Sequence, residues 1–266
     1  MAKKSLGQHF LRSERALKKI IEVSSASAND TVLEIGPGEG VLTDELLKTG
    51  ARVVAVEKDD SLIPFLEKKF EKEIAEKKLT LIHGDALTLA VDEVCEQGYL
   101  LVANIPYYIT GAILRKYLAG SVQPKCAVLL VQKEVAERIV ARDKKESILS
   151  LSVKVFGVPA YIETVKAGSF SPPPKVDSAI LAITDIGRGV LTEKEEAMYF
   201  ALVKAGFGSK RKQLINTVVS VGIPKDFFLS FLEKQGFSST IRAEDMPLSA
   251  WITLAKEATL QFGQRK

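Results

Sequence analysis

Cysteine and histidine are scarce in this 266-residue chain, with two of each, and tryptophan occurs once. Cys95 and Cys126 are far apart and have only His9 and His83 as possible helpers, so neither a disulfide framework nor a metal site is expected. Both thiols are read as buried and free. No apolar run reaches the roughly 18 to 20 residues that a membrane-spanning helix requires. The opening Met1-Ala2-Lys3-Lys4-Ser5-Leu6-Gly7-Gln8 is charged with no apolar stretch behind it, so a cytoplasmic location without membrane contact is expected. Repeats and low-complexity tracts are absent too. What remains is ordinary globular composition, 46% hydrophobic and 26% charged, enough for one or two domains with a sizeable core.

The formal charge of +4 is unevenly distributed. Residues 1–25 hold six Lys and Arg against two acids, residues 187–266 twelve against eight, and the stretch between nineteen against twenty-three. A basic head and tail around an acidic body suit contact with a polyanion at both ends, although solvated helix faces give the same counts.

Apolar, β-branched runs at 31–35, 52–56, 79–82, 99–103 and 126–131 read as buried parallel strands. Helical patterns at 40–48, 61–77, 111–119 and 133–142 lie between or after them, which is the rhythm of an α/β, doubly wound, Rossmann-like sheet. A further helix at 147–156 and strands at 160–167 and 178–184 with no helix between them predict an antiparallel hairpin at the sheet edge. After Ile186-Gly187-Arg188-Gly189 the period is helical, at 194–205, 211–219, 226–235 and 249–262. The expected domains are therefore 1–186, an α/β domain with a basic leading segment, and 187–266, a small all-α domain.

Four strand ends carry chemistry. The first runs into Gly36-Pro37-Gly38-Glu39-Gly40 and a helix, a strand, glycine loop and helix in the order that binds a nucleoside cofactor. A dinucleotide fingerprint starting at Gly36 calls for a small residue at 41, where Val41 stands, so a nucleoside without a pyrophosphate fits better; a mere tight connection is the plain alternative. Glu57 ends the second strand, twenty-one residues after Gly36, where an acid can bind both ribose hydroxyls. Asp85 ends the third, where it can accept a hydrogen bond from an adenine amine or simply serve a turn. At the fourth, Asn104-Ile105-Pro106-Tyr107 offers an amide oxygen and a backbone carbonyl for an exocyclic amine and a ring for stacking. The ordered series points to S-adenosylmethionine.

Seven motifs, in order, then resemble one family over nearly the whole chain. They are Lys4-Ser5-Leu6-Gly7-Gln8-His9-Phe10-Leu11, Glu34-Ile35-Gly36-Pro37-Gly38-Glu39-Gly40, Glu57-Lys58-Asp59, Gly84-Asp85-Ala86, Asn104-Ile105-Pro106-Tyr107, Gln132-Lys133-Glu134-Val135-Ala136 and Phe170-Ser171-Pro172-Pro173-Pro174-Lys175-Val176-Asp177-Ser178. The sequence resembles the small-subunit ribosomal RNA adenine N6,N6-dimethyltransferases, the kasugamycin-sensitivity type. The resemblance implies that S-adenosylmethionine gives two methyls to each of two adjacent adenosines near the 3′ end of 16S RNA, in the immature 30S subunit. It implies that Gln8, His9 and Leu11 close over the methionine end of the cofactor. Gly36, Gly38, Gly40, Glu57, Lys58, Asp85 and Ala86 hold its loop, ribose and adenine contacts, and Asn104 touches both cofactor and substrate. His9 and Tyr108 stand where the family often has Asn.

By the same resemblance Pro106 and Tyr107 belong to the catalytic element, and Phe170, ahead of a stiff proline run, forms the second face of an aromatic clamp; core packing is the alternative. Lys3, Lys4 and Arg12, with Arg15, Lys18 and Lys19 behind them, and Lys210, Arg211 and Lys212 at a helix start, are the expected RNA-backbone contacts. The last three suit phosphate because cations at a helix N-terminus oppose its dipole. A monomer is expected. Two other readings share these motifs: a macrolide-resistance methyltransferase of 23S RNA, and a non-catalytic assembly or transcription factor on the same fold.

Overall fold

The computed structural model describes residues 8–208 and 213–263. By its contacts the chain divides into two units, Met1–Glu137 with Gly157–Gly187, and Arg138–Phe156 with Arg188–Lys266. Among the described residues no helix is long and apolar enough to cross a membrane.

In the first unit, β2 (Thr31–Ile35), β3 (Arg52–Glu57), β4 (Leu79–His83), β5 (Leu100–Asn104) and β6 (Cys126–Gln132) are parallel, as their unbroken apolar runs require when both faces are covered. β7 (Val158–Val165) and β9 (Ser178–Thr184) join antiparallel, giving one seven-stranded sheet in the order β4-β3-β2-β5-β6-β9-β7. The order reverses direction between β2 and β5, and there the carboxyl ends of an open sheet leave a crevice. The helices of this unit are α1 (Glu14–Ser24), α2 (Val41–Lys48), α3 (Ile63–Lys69), α4 (Glu71–Ala75) and α5 (Thr110–Leu118). α1 buries Ala16, Leu17, Ile20 and Ser24, the three- and four-residue spacing of one helix face, and the Ser13 hydroxyl caps it by accepting from the Ala16 amide at 3.3 Å.

Two features depart from the expected elements. The helix expected over 61–77 is two helices, because Phe70 between them leaves helical geometry (φ −112°, ψ 26°) and turns a 2%-exposed ring into the core. Also unforeseen is a second sheet of two short strands, β1 (Phe10–Leu11) and β8 (Phe170–Ser171), with Leu11 opposite Phe170. It clips the leading segment to the stretch between β7 and β9.

The second unit is helical: α7 (Ile148–Lys154), α8 (Glu193–Phe207), α9 (Ile215–Val218), α10 (Lys225–Lys234) and α11 (Leu248–Phe262). Residues 138–156 group with it, rather than with the sheet that precedes them in sequence. The Tyr199 hydroxyl donates to the Leu151 carbonyl at 3.0 Å, Phe156 stacks on Phe200 and Lys145 pairs with Glu244 at 2.6 Å. α8 opens with a capping box of Thr192 and Glu195. Between the units in sequence, α6 (Lys133–Val140) begins directly at the end of β6.

The Phe70 ring explains one glycine of the loop. Gly40, the N-cap of α2, has φ +74°, and a Cβ there would lie 2.5 Å from the Phe70 ring. Gly40→Ala should therefore cost about 2–4 kcal/mol, from left-handed strain plus overpacking. Chemical denaturation of the two proteins checks this, and an unchanged midpoint would refute it.

Candidate active site

A cavity opens at the carboxyl ends of β2, β3, β4 and β5, and most of the residues singled out from the sequence line it. Gln8, His9, Leu11, Gly36, Gly38, Glu57, Lys58, Asp85, Ala86, Asn104, Pro106 and Tyr107 all contribute to its wall. Gly38 sits in the left-handed region (φ +60°) with the Phe10 ring 2.9 Å from where a Cβ would lie, so only glycine lets the loop and the leading segment close on each other.

Glu57 is the hub of this closure. One carboxylate oxygen accepts from the Gly38 amide at 3.1 Å and the other from the Asp59 amide at 2.7 Å. Burial pushes its carboxyl above the usual range, and the amides of Asp59, Gly38 and Lys58 pull it back. Asp59, 2% exposed, accepts in turn from the Gln8 side chain at 2.8 Å and from the amide and hydroxyl of Ser61 at 3.0 and 2.6 Å. A chain of hydrogen bonds thus runs from the leading segment through Asp59 and Glu57 to the glycine loop.

At the next strand end, Asp85 forms an ion pair with Lys58 at 2.8 Å and accepts from the Leu87 amide at 2.8 Å. The Lys58 ammonium first, and then that amide, hold its carboxyl below the usual range. Ala86 beside it is buried, and its carbonyl accepts from the Tyr117 hydroxyl at 2.8 Å.

Asn104, the last residue of β5, donates from Nδ2 to the His9 carbonyl at 2.9 Å. A carbonyl only accepts, so the amide orientation is fixed and Oδ1 is the atom left to receive a donor. Pro106 leads into a single 3-10 turn, Tyr107–Ile109, and its own carbonyl accepts from the Ile109 amide at 3.2 Å. The Tyr107 hydroxyl lies 2.6 Å from the Ser178 hydroxyl; burial raises the phenol above its ordinary range, partly offset by that bond.

Three of the expected residues stand away from the cavity wall. Gly40 does not line the cavity; it faces Phe70. Phe170 does not line it either: its ring is 4% exposed and belongs to the core with Leu11, Val165 and Ile180, because the β1–β8 pairing lays Leu11 beside it. Arg12 is engaged by a carboxylate, Glu39 of the glycine loop, at 2.6 Å. Lys3, Lys4, Lys210, Arg211 and Lys212 lie outside the described residues.

Phe10, Tyr108 and Glu34, which carried no assigned role in the sequence, also line the wall. Glu34 is 1% exposed and accepts from the Thr43 hydroxyl at 2.7 Å. Burial pushes its carboxyl up to about 8; Thr43 opposes this and the neighbouring Glu57 adds to it. Its place in the Glu34-Ile35-Gly36 motif was visible, but its depth was not.

The reversal of strand order, the glycine loop and the acids on successive strand ends define a Rossmann-like methyltransferase. Comparison with known proteins narrows the class. A model of the family described as ribosomal RNA adenine dimethylase matches residues 1–260. A protein from Dehalococcoides mccartyi named ribosomal RNA small subunit methyltransferase A is 43% identical over 96% of this chain and 88% of its own. One of the same name from Fusobacterium nucleatum is 39% identical over 96% of both. Among solved structures, a dimethyladenosine transferase from Plasmodium falciparum superposes with a TM-score of 0.81 at 29% identity, covering 95% of this chain and 98% of its own. The 23S rRNA methyltransferase ErmE gives 0.76 at 25%, covering 93% and 98%. This chain belongs to the ribosomal RNA adenine dimethylase family, and it is an enzyme of that family.

Folding raises the Glu34 pKa from 4.5 to about 8, so between those values the folded chain keeps a proton that the unfolded chain has lost. Stability contributed by this group therefore falls as pH rises, by at most about 1.4 kcal/mol per pH unit. Glu34→Gln preserves an acceptor for Thr43 and should flatten that fall. Melting temperatures of both proteins between about pH 5 and pH 8 test this; equal slopes would assign the pH dependence elsewhere.

Proposed function

We propose that this enzyme methylates N6 of two adjacent adenosines near the 3′ end of 16S ribosomal RNA, two methyls on each, with S-adenosylmethionine as donor. Its setting is the immature 30S subunit in the cytoplasm, and it acts as a monomer. The observation that carries the reading is the Asn104 amide, fixed so that its oxygen is offered at the end of β5 beside Tyr107. The two relatives named for the small subunit are 43% and 39% identical, against 25% for the 23S enzyme, which favours the 16S substrate.

The cavity suits the cofactor by its donors and acceptors. Glu57 lines the cavity with each carboxylate oxygen accepting from one backbone amide, which leaves lone pairs for ribose hydroxyls; Asp85, Ala86, Gln8 and Leu11 lie in the same wall. When bound, the cofactor supplies an electrophilic methyl group on a sulfonium. The chain's own task is orientation. Adenine N6 is a poor nucleophile because its lone pair is delocalised into the ring. Asn104 Oδ1 accepts one amine hydrogen. The Ile105 carbonyl is assigned as the second acceptor; the Pro106 carbonyl already receives the Ile109 amide. Two acceptors out of the ring plane pull the amine toward a pyramid and turn its lone pair to the methyl. Positioning and electrostatic fit then supply the rate, and no strong base is needed.

A base inside a duplex cannot reach this site, so the adenosine is flipped or already unpaired, with Tyr107 as a stacking face. The basic leading segment and the helical second unit, with Lys210, Arg211 and Lys212, are assigned to the RNA backbone, which makes binding strongly dependent on salt.

Asn104→Ala should lower turnover at least about a hundredfold, the scale of losing one preorganised polar group, with RNA affinity in a gel-shift assay little changed. A parallel loss of RNA binding would move Asn104 from chemistry to binding. Incubation of unmethylated 30S particles and of 23S RNA with labelled cofactor, followed by mapping, should place the label on two adjacent 16S adenosines. Label confined to 23S RNA would overturn the substrate assignment.

A further inference from the structure

The turn that follows β4 carries Asp85 and Ala86 in the cavity wall, and two side chains of α5 hold that turn in place. The Tyr117 hydroxyl donates to the Ala86 carbonyl at 2.8 Å, and the Lys116 ammonium donates to the Leu89 carbonyl at 2.6 Å. Tyr117 is fully buried, so the Ala86 carbonyl is what spares its hydroxyl an unpaired place in the core. The turn itself is wound on Asp85. Its carbonyl accepts from the Thr88 and Leu89 amides at 2.9 and 3.1 Å, and its carboxylate accepts from the Leu87 amide at 2.8 Å. In a trans peptide the N–H points opposite to the carbonyl, so the Ala86 amide faces out of the turn. An acceptor and a donor thus stand on neighbouring residues of the wall. Adenine has the complementary edge, an amine that donates beside a ring nitrogen that accepts, and hypoxanthine reverses both.

We propose that Tyr117, with Lys116, is a positioning residue for the cofactor: by holding the Ala86 and Leu89 carbonyls, the pair keeps the Asp85 carboxylate and the Ala86 amide where they select adenine over a base with the reversed edge. This rests on the S-adenosylmethionine reading above. Neither side chain lines the cavity, so each acts through the turn. The bonds made by Asp85 within the turn fix its shape but not its place. Place comes from outside: the Lys58–Asp85 pair ties the turn to the end of β3, and Tyr117 and Lys116 tie it to α5. The two side chains are neighbours in sequence and reach carbonyls three residues apart, so a slide or a rotation of the turn breaks one bond or both. α5 is suited to the task. It follows Asn104 through the single turn Tyr107–Ile109, and Ile113, Leu114 and Leu118 are buried on it together with Tyr117. The strand end assigned to the substrate amine and the turn assigned to the cofactor base are therefore set against one helix.

The test is calorimetry on the full-length protein with S-adenosylhomocysteine and with S-inosylhomocysteine, whose base is hypoxanthine. Wild type, Tyr117→Phe and Lys116→Met are compared, with melting curves to confirm folding. Wild type should prefer the adenosyl compound at least about tenfold, since hypoxanthine leaves a donor and an acceptor of the site mispaired. Tyr117→Phe removes only the hydroxyl. It should weaken S-adenosylhomocysteine binding about fivefold, the scale of one hydrogen bond, and leave S-inosylhomocysteine within about twofold, so that the preference narrows. Lys116→Met should narrow it in the same direction, and carries the test if Tyr117→Phe does not fold. An unchanged preference in folded Tyr117→Phe, or in Lys116→Met where the first does not fold, would reduce these bonds to core packing and overturn the proposal. So would a wild type that binds both compounds equally, because the turn would then select no base edge. A wild type that binds neither compound overturns the S-adenosylmethionine reading, and this inference with it. Once wild type is seen to bind S-adenosylhomocysteine, the variants report on α5 alone.

Discussion

The hydrogen bond from the Asn104 amide to the His9 carbonyl joins residues ninety-five positions apart, and the rest of the site is arranged around it. It fixes which atom of the amide faces the cavity, and it does so with a backbone carbonyl, a partner that cannot switch between donor and acceptor. For the bond to persist, residues 8–12 must stay where they are. Further ties hold them: the β1–β8 ladder, the Gln8–Asp59 bond, the Arg12–Glu39 ion pair and the Arg12 amide, which donates to the Ser169 carbonyl at 2.7 Å. The open edge of a parallel sheet offers only strand ends and loops. Here the leading segment crosses that edge and turns it into a walled cavity.

That wall collects carboxyl groups in a confined space, and each is settled by different chemistry. Glu34 is buried deeply enough to hold its proton near neutral pH, with Thr43 as a donor. Glu57 is shared between two backbone amides, Asp59 is enclosed by Gln8 and Ser61, and Asp85 is neutralised by Lys58. Repulsion between unscreened carboxylates in a low-dielectric setting would otherwise spread the strand ends apart.

Those acids, the glycine loop and the Asn-Pro-Tyr turn were legible because each sits at the end of an apolar run, and a parallel sheet brings such ends to one edge whatever the details. The strands themselves were legible for the same reason: runs such as 126–131 are apolar without alternation, as a sheet covered on both faces demands. What was not legible depends on partners distant in sequence. Phe170 reads as a clamp face with core packing as the alternative, and its pairing with Leu11 has no local signal. Arg12 reads as a phosphate contact, and nothing local shows that Glu39 lies beside it. Gly40 looks like a third loop glycine, and only the Phe70 ring shows that its smallness serves packing. The same ring splits the helix over 61–77, which its periodicity left whole. Residues 138–156 follow the sheet in sequence, and nothing local says that they pack on α8.

Dimethylation places an unusual demand on such a site. On the reading proposed above, the amine brings two hydrogens to the first transfer and can satisfy both the Asn104 oxygen and the Ile105 carbonyl. After it, one hydrogen remains, and one acceptor must lose its partner while the methylated amine rotates to present its lone pair again. The polar grip is therefore weaker in the second transfer, by an amount on the scale of a hydrogen bond in a partly buried site, about 1 kcal/mol or somewhat more. Stacking does not depend on the amine hydrogens and carries over undiminished. On the reading proposed above, stacking on Tyr107 keeps the base in place through that loss. A rigid pocket fitted to the unmethylated amine would instead stop after one transfer.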